Sequence, residues 1–105
     1  MEISGDEFEE KVIKQSKKMP VVVDFFADWC VPCGILGPVL EKIAIENEGK
    51  FVLVKLDIDK NPDISKKYAV TAVPAVKLFK DGNVVNEFIG VLPEASIREW
   101  LKKNL

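Results

Sequence analysis

Cys30 and Cys33 are the only cysteines in this chain of 105 residues, and they lie three positions apart. Thiols at that spacing can close a disulfide across one turn of a helix and open it again. The bridge would enclose only two residues, so it would restrict the unfolded chain very little. The spacing therefore predicts a reversible redox pair rather than a structural crosslink.

The two thiols are expected to differ in role because a long helix begins beside Cys30. The first turn of a helix has unpaired backbone N–H groups and a partial positive charge, which stabilise a thiolate. Cys33 lies one turn further in and is shielded by that turn. We therefore expect Cys30 to attack a substrate disulfide and Cys33 to resolve the mixed disulfide, with no bound cofactor.

Asp24 is the candidate base that takes the proton of Cys33. Residues 21–27 are apolar except for Asp24, which is typical of a central strand covered on both faces. Asp24 shares one face of this strand with Val22 and Phe26. Burial there is expected to raise its pKa toward neutrality, where a carboxyl group exchanges protons efficiently. The alternative is an aspartate on a solvated strand face.

The elements that position these residues follow from a hydrophobic period that switches between strand and helix. Strand, long helix and strand in succession form a βαβ unit with parallel strands, and a hairpin with a last helix forms a ββα unit. We expect one α/β domain, residues 1–105, with a mixed sheet and helices on both faces. The predicted elements are a short strand at 2–3, helix 4–15, strand 21–27, a long helix ending before Gly49, strand 51–56, helix 61–68, strands 75–80 and 84–89, and a helix from Pro93.

Composition and charge argue against several other classes of protein. The net charge is −2, with acidic and basic residues interspersed, so no basic face for a nucleic acid or an anionic membrane is evident. No stretch approaches the roughly 20 apolar residues of a membrane span, and the first residues do not resemble a signal peptide. We expect a soluble cytoplasmic protein.

Metal sites are also disfavoured by the residue types present. The chain has no histidine and no third cysteine, so a zinc site made of cysteines would need two chains. Asp57, Asp59 and Asn61 imitate the first ligands of a calcium loop. However, Pro62 and Tyr68 occupy the positions that require glycine and glutamate in such a loop. We predict no metal.

Together these residues resemble the thioredoxin family over nearly the full length of the chain. The C-x-x-C pair stands at a strand-to-helix junction, with Asp24 six residues before Cys30, Lys55 in the next strand and the pair Val73-Pro74 before the hairpin. The resemblance implies the thioredoxin fold and a protein-disulfide reductase with no cofactor of its own. The implied partners are proteins that contain disulfides and a thioredoxin reductase, usually flavin-dependent. We expect a monomer.

The resemblance also assigns roles to residues without a local pattern of their own. Lys55 is implied to pair with Asp24, and the alternative is a lysine at a solvated strand end. Pro74 is implied to be cis, with Val73 offering backbone hydrogen bonds to an extended substrate. The implied rim is apolar and suited to protein docking. It consists of Trp29, Val31, Pro32, Val73, Pro74, Gly90 and Val91.

Four residues differ from the commonest family pattern: Val31 in place of glycine, Gly34 in place of lysine, Ala75 in place of threonine and Phe26 in place of tryptophan. The missing lysine removes a positive charge near the thiolate, which affects the reduction potential. The main alternative function is a glutaredoxin-like protein or a disulfide isomerase or oxidase, and its main support is the altered dipeptide Val31-Pro32 between the cysteines. A mere interaction module with an incidental cysteine pair would predict loss of Asp24 or Pro74, and both are present.

Overall fold

The computed structural model describes every residue from Met1 to Leu105. Its regular elements are strand β1 (Val21–Phe26), helix α1 (Val31–Glu46), strand β2 (Val52–Asp57), helix α2 (Pro62–Lys67), strand β3 (Ala75–Lys80), strand β4 (Asn83–Ile89) and helix α3 (Glu94–Asn104). The predicted order of a βαβ unit followed by a ββα unit is confirmed. The fold is α/β with a mixed sheet.

The four strands form one sheet in the order β2-β1-β3-β4. Strand β1 is parallel to β2 and antiparallel to β3, and β3 pairs with β4 as the predicted hairpin. The carboxyl ends of the parallel strands β1 and β2 meet at one edge of the sheet. The loops that follow these two strands are therefore neighbours, although they are distant in sequence.

Helices cover both faces of this sheet, as predicted. Strand β1 is buried along its whole length, and its successive side chains point to opposite faces. On one face, Val23 and Phe25 pack in a cluster with Phe8 from the N-terminal segment, while Tyr68 at the end of α2 packs against it. On the other face, Val22 packs with residues of α1 and α3, among them Leu36, Leu40, Ile97 and Leu101.

The predicted helix at 4–15 is present only as an irregular helical segment. It consists of a 3-10 turn at Gly5–Glu7, π-helical winding at Glu9–Lys14 and a second 3-10 turn at Gln15–Lys17. The segment is tied to the rest of the chain at both ends. The Gly5 N–H donates to Asn61, and the Gly82 N–H donates to the hydroxyl of Ser16. These attachments and the buried Phe8 determine its winding more than helix propensity does.

The N-terminal residues add a short parallel bridge to the edge of β2. Glu2 pairs with Lys55, and the Ile3 N–H donates to the Lys55 carbonyl at 2.9 Å. The predicted strand at 2–3 is thus reduced to one bridge. None of the helices combines the length and the apolar character that crossing a bilayer requires.

Candidate active site

The cysteine pair lies at the junction between β1 and α1. Cys30 has an extended backbone and is the N-cap of α1, and Cys33 lies in the first turn. The two are joined by a disulfide, with their Cα atoms 5.3 Å apart. Pro32 near the helix start suits this position, where a backbone N–H has no helical partner.

The two cysteines differ in their hydrogen bonding rather than in the exposure of the residue as a whole. Cys30 is 7% exposed and Cys33 is 6% exposed, and both pack with Phe26 and Ala27. The backbone N–H of Cys33 donates to Sγ of Cys30 at 3.2 Å. The amide at the positive end of α1 therefore points at Cys30, which is the arrangement that stabilises negative charge on that sulfur.

Asp24 is buried, as the strand pattern predicts, and it is 1% exposed. Neither carboxylate oxygen has a hydrogen-bond partner in the protein. Burial raises the pKa of Asp24 to about 6, and the carboxylate of Glu41 acts in the same direction, whereas the ammonium of Lys55 opposes them. A buried carboxyl group with a pKa near neutrality can exchange a proton under ordinary conditions.

Lys55 lies directly beside Asp24 across β1 and β2, but the structure does not contain the ion pair with Asp24 that the resemblance implies. Its Nζ lies 3.7 Å from Oε1 of Glu41 and 4.9 Å from the centre of the Phe26 ring. The long side chain extends past the ring toward solvent, where the ammonium keeps part of its hydration.

A hydrogen-bonded loop after β2 contacts the junction between β1 and α1 through Trp29. The sequence alone did not predict this contact. The indole N–H of Trp29 donates to Oδ2 of Asp59 at 2.7 Å. Asp57 is 2% exposed, and its Oδ1 accepts from the backbone N–H groups of Asp59 and Lys60. In the sequence, the spacing of these aspartates resembles only the start of a calcium loop. The rule that parallel strands end at the same edge could have placed this loop beside Trp29.

The predicted rim is formed by three segments of the chain. Trp29 and Val31 are 68% and 74% exposed, and Val91 is also exposed. The peptide bond between Val73 and Pro74 is cis, and the Pro74 carbonyl accepts the Gly90 N–H at 2.8 Å.

Individual rim positions differ in how much surface they present. Pro32 is exposed, Val73 and Gly90 are half-buried, and Pro74 is buried. Val73 packs against the cluster that holds both cysteines. Pro74 thus shapes the rim without offering much surface of its own. No cluster of three or more histidine, cysteine or acidic side chains suited to a metal ion is present.

The sheet order, the cysteine pair at the start of α1 and the cis proline beside it define an α/β protein of the thioredoxin fold. A family model described as Thioredoxin matches residues 1–103. The chain belongs to the thioredoxin family.

Curated relatives carry the same name. Mitochondrial thioredoxins of Bos taurus and Mus musculus are each 46% identical over 99 residues, which make up 94% of this chain and 58% of the relative. A thioredoxin of Rickettsia bellii is 39% identical over 103 residues, which make up 98% of this chain and 96% of the relative. The chain thus spans somewhat more than half the length of the mammalian relatives and nearly all of the bacterial one.

Proposed function

We propose that the chain is a thiol-disulfide oxidoreductase that reduces disulfides in target proteins through reversible oxidation of Cys30 and Cys33. The observation that carries this proposal is the Cys30–Cys33 disulfide at the positive end of α1, with the unpartnered carboxyl group of Asp24 buried on the adjoining strand. Membership of the thioredoxin family supports the same class of reaction.

The reaction proceeds in two exchanges. In the reduced protein, the Cys30 thiolate attacks one sulfur of the substrate disulfide, so that a mixed disulfide forms and the first substrate thiolate leaves. Cys33 then gives its proton to the Asp24 carboxylate and attacks Sγ of Cys30, which releases the second substrate thiolate. The substrate gains two electrons, and the Cys30–Cys33 disulfide closes.

Several groups of this protein have defined roles in these exchanges. The Cys33 N–H that donates to Sγ of Cys30 favours negative charge on that sulfur, so Cys30 is the nucleophile. Docked substrate excludes water from Cys33, and Asp24 then serves as the base because its pKa of about 6 leaves it mostly ionised at pH 7. The ammonium of Lys55 favours the ionised form of Asp24.

The rim is the proposed docking surface for an extended segment of the substrate. Trp29 and Val31 supply exposed apolar area beside the disulfide. The backbone N–H and carbonyl of Val73 make no hydrogen bond within the protein, so they can pair with a substrate strand. Gly90 and Val91 complete the rim on the far side of Pro74.

The partners and compartment follow from this function. A reductase, flavin-dependent in our proposal, restores the dithiol after each turnover, and the protein acts as a monomer. We propose the cytoplasm as its compartment because a disulfide reductase requires surroundings that keep thiols reduced. The mammalian relatives are named mitochondrial, so the mitochondrion is the competing location.

The equilibrium reduction potential of the cysteine pair tests the direction of the reaction. We expect a value near the roughly −270 mV typical of thioredoxins. Equilibration with glutathione or dithiothreitol buffers, read by mass spectrometry after alkylation, measures it. A potential near about −120 mV, the range of strong oxidants, would contradict the proposal and favour the oxidase or isomerase alternative.

Gly34→Lys provides a matched variant for the same measurement. A Cβ atom added at Gly34 meets no atom within 4 Å, so the position has room for a side chain that restores the family's positive charge. The charge stabilises the reduced thiolate and is expected to raise the potential by on the order of 10 mV.

Asp24→Asn tests the proposed base. The amide cannot accept the Cys33 proton, so resolution of the mixed disulfide should slow on the order of tenfold at pH 7. The loss should shrink at pH 9, where hydroxide deprotonates the thiol. Stopped-flow mixing of pre-reduced protein with a model disulfide, followed by the fluorescence of Trp29, measures the rate. An equal loss at both pH values would show that Asp24 is not the base.

A further inference from the structure

The ammonium of Lys55 has two carboxyl groups within its reach, and it pairs with the one that is not its neighbour in the sheet. Asp24 is its neighbour across β1 and β2, whereas Glu41 lies on α1. The ion pair is nevertheless with Glu41, at 3.7 Å from Nζ to Oε1. The exposed fractions are 26% for the side chain of Lys55 and 53% for that of Glu41. The pair therefore lies at the boundary between the buried carboxyl group and solvent.

The side chain of Lys55 passes beside Gly37 of α1. A Cβ atom added at Gly37 would lie 3.5 Å from Nζ of Lys55 and 3.9 Å from its Cε. Gly37 and Glu41 are four residues apart, so they lie on the same side of the helix. The lysine thus runs over a gap in the helix surface toward a carboxylate one turn further along. The ring of Phe26, 4.9 Å from Nζ, borders the same path.

We propose that Glu41 is a positioning residue for proton transfer at Asp24, because it pairs with Lys55 and holds the ammonium on the solvent side of the buried carboxyl group. This inference rests on the proposed function of Asp24 as the base. With Glu41 in place, Asp24 has no ion-pair partner and retains a high affinity for the Cys33 proton. Without Glu41, Lys55 is free to turn toward Asp24 and compensate its negative charge.

The other charged groups around Asp24 are accounted for by partners of their own. Asp57, on the same face of β2, accepts two backbone N–H groups. Lys77 of β3 belongs to the opposite face of the sheet, where it pairs with Glu87 at 3.1 Å. The residue of β3 beside Asp24 is the apolar Val76.

The helices that cover this face add no further charge toward Asp24. Helix α3 contributes the apolar Ile97 and Leu101 to the core, while its Arg98 pairs with Glu94 and with Glu46 of α1 at the surface. Helix α1 contributes Glu41 and also Cys33, which is disulfide-bonded to Cys30 at the N-cap. Burial and the Glu41 carboxylate raise the pKa of Asp24, and Lys55 lowers it.

Glu41→Gln tests the inference by removing the charge and keeping the shape. The midpoint of the Asp24 carboxyl titration, followed by carbon NMR in the oxidised protein, should fall by about half a pH unit. Glu48→Gln is the matched control, because Glu48 is also an exposed glutamate and forms no ion pair in the structure. An equal shift of the Asp24 midpoint in both variants would mean that only the net charge of the protein matters, and it would overturn the inference.

The same substitution in a Lys55→Met background separates an effect of Glu41 through Lys55 from direct repulsion between the carboxyl groups of Glu41 and Asp24. In Lys55→Met the ammonium is absent, so adding Glu41→Gln should move the Asp24 midpoint by less than half as much as it does in the native chain. An undiminished shift would mean that Glu41 acts without Lys55, and the positioning role would be wrong.

These NMR titrations do not depend on activity, so they separate this inference from the proposed function. If the native chain fails to reduce a model disulfide, the proposed function fails while the titrations still report on Glu41. If reduction proceeds but Glu41→Gln behaves like Glu48→Gln, only the inference fails. When both hold, the pH profile of mixed-disulfide resolution should move with the Asp24 midpoint.

Discussion

Cys33→Ser is expected to stop the reaction at the mixed disulfide and to trap substrates on Cys30. The serine hydroxyl cannot displace a sulfur from a disulfide, so the first exchange occurs and the second does not. Multiple turnover should fall on the order of a thousandfold. Incubation of the reduced variant with a disulfide-containing protein should give covalent complexes that dithiothreitol releases, and mass spectrometry should place the bond at Cys30.

Cys30→Ser is the matched variant, and it should accumulate no such complexes. Because the two cysteines are nearly equally buried, exposure does not decide which sulfur attacks. The assignment depends on the Cys33 N–H that donates to Sγ of Cys30, since only Cys30 receives this contact at the start of α1. Complexes formed through Cys33 in this variant would reverse the two roles.

The positions of the cysteines and of Asp24 could be predicted because both depend on local pattern. A run that is apolar except for Asp24 identifies β1 as a central strand, and this single carboxyl group is then expected to be buried. The helical period that begins after Cys33 places Cys30 at the start of α1 and Cys33 in its first turn. These patterns involve residues close in sequence, so the sequence alone carries them.

Contacts between the ends of side chains could not be predicted in this way. The bond from Trp29 to Asp59 and the ion pair of Lys55 with Glu41 join residues from different elements. Patterning predicts the face on which a residue lies, but the end of a long side chain chooses among several partners within reach. Lys55 illustrates this, because the resemblance implies an ion pair with Asp24, whereas in the structure the ion pair is with Glu41.

The backbone conformation of the N-terminal segment could not be predicted from the sequence either. Ser4 and Glu7 form a capping box at its start, in which the Ser4 N–H donates to Glu7 at 3.0 Å. The irregular winding that follows depends on anchors far along the chain, at Asn61 and Gly82. A helical period in the sequence contains no information about such attachments, so it predicted a regular helix.

Asp24→Asn should also stabilise the folded protein at neutral pH. The pKa of Asp24 is about 6 in the folded chain, against 3.8 for an unperturbed aspartate. Below pH 3.8 the carboxyl group is protonated in both states, and its ionisation has no effect on stability. Between these values the unfolded chain releases the proton while the folded chain keeps it, so stability falls as pH rises. Above pH 6 the penalty is complete, at about 3 kcal/mol.

The asparagine amide resembles the protonated carboxyl group in shape and never ionises, so the variant avoids this penalty. Urea unfolding of the oxidised variant and native proteins should give nearly equal free energies at pH 4 and a gain of about 2 to 3 kcal/mol for the variant at pH 8. Asp57→Asn is the control, because that buried carboxylate accepts two backbone N–H groups and its neutralisation should lower stability by about 1 kcal/mol. A gain for Asp24→Asn that is the same at both pH values would mean that the ionised carboxylate is not the destabilising species. The site thus contains an ionisable carboxyl group that lowers the stability of the folded protein above pH 6. This cost indicates that Asp24 serves the site through its proton affinity and not through its packing.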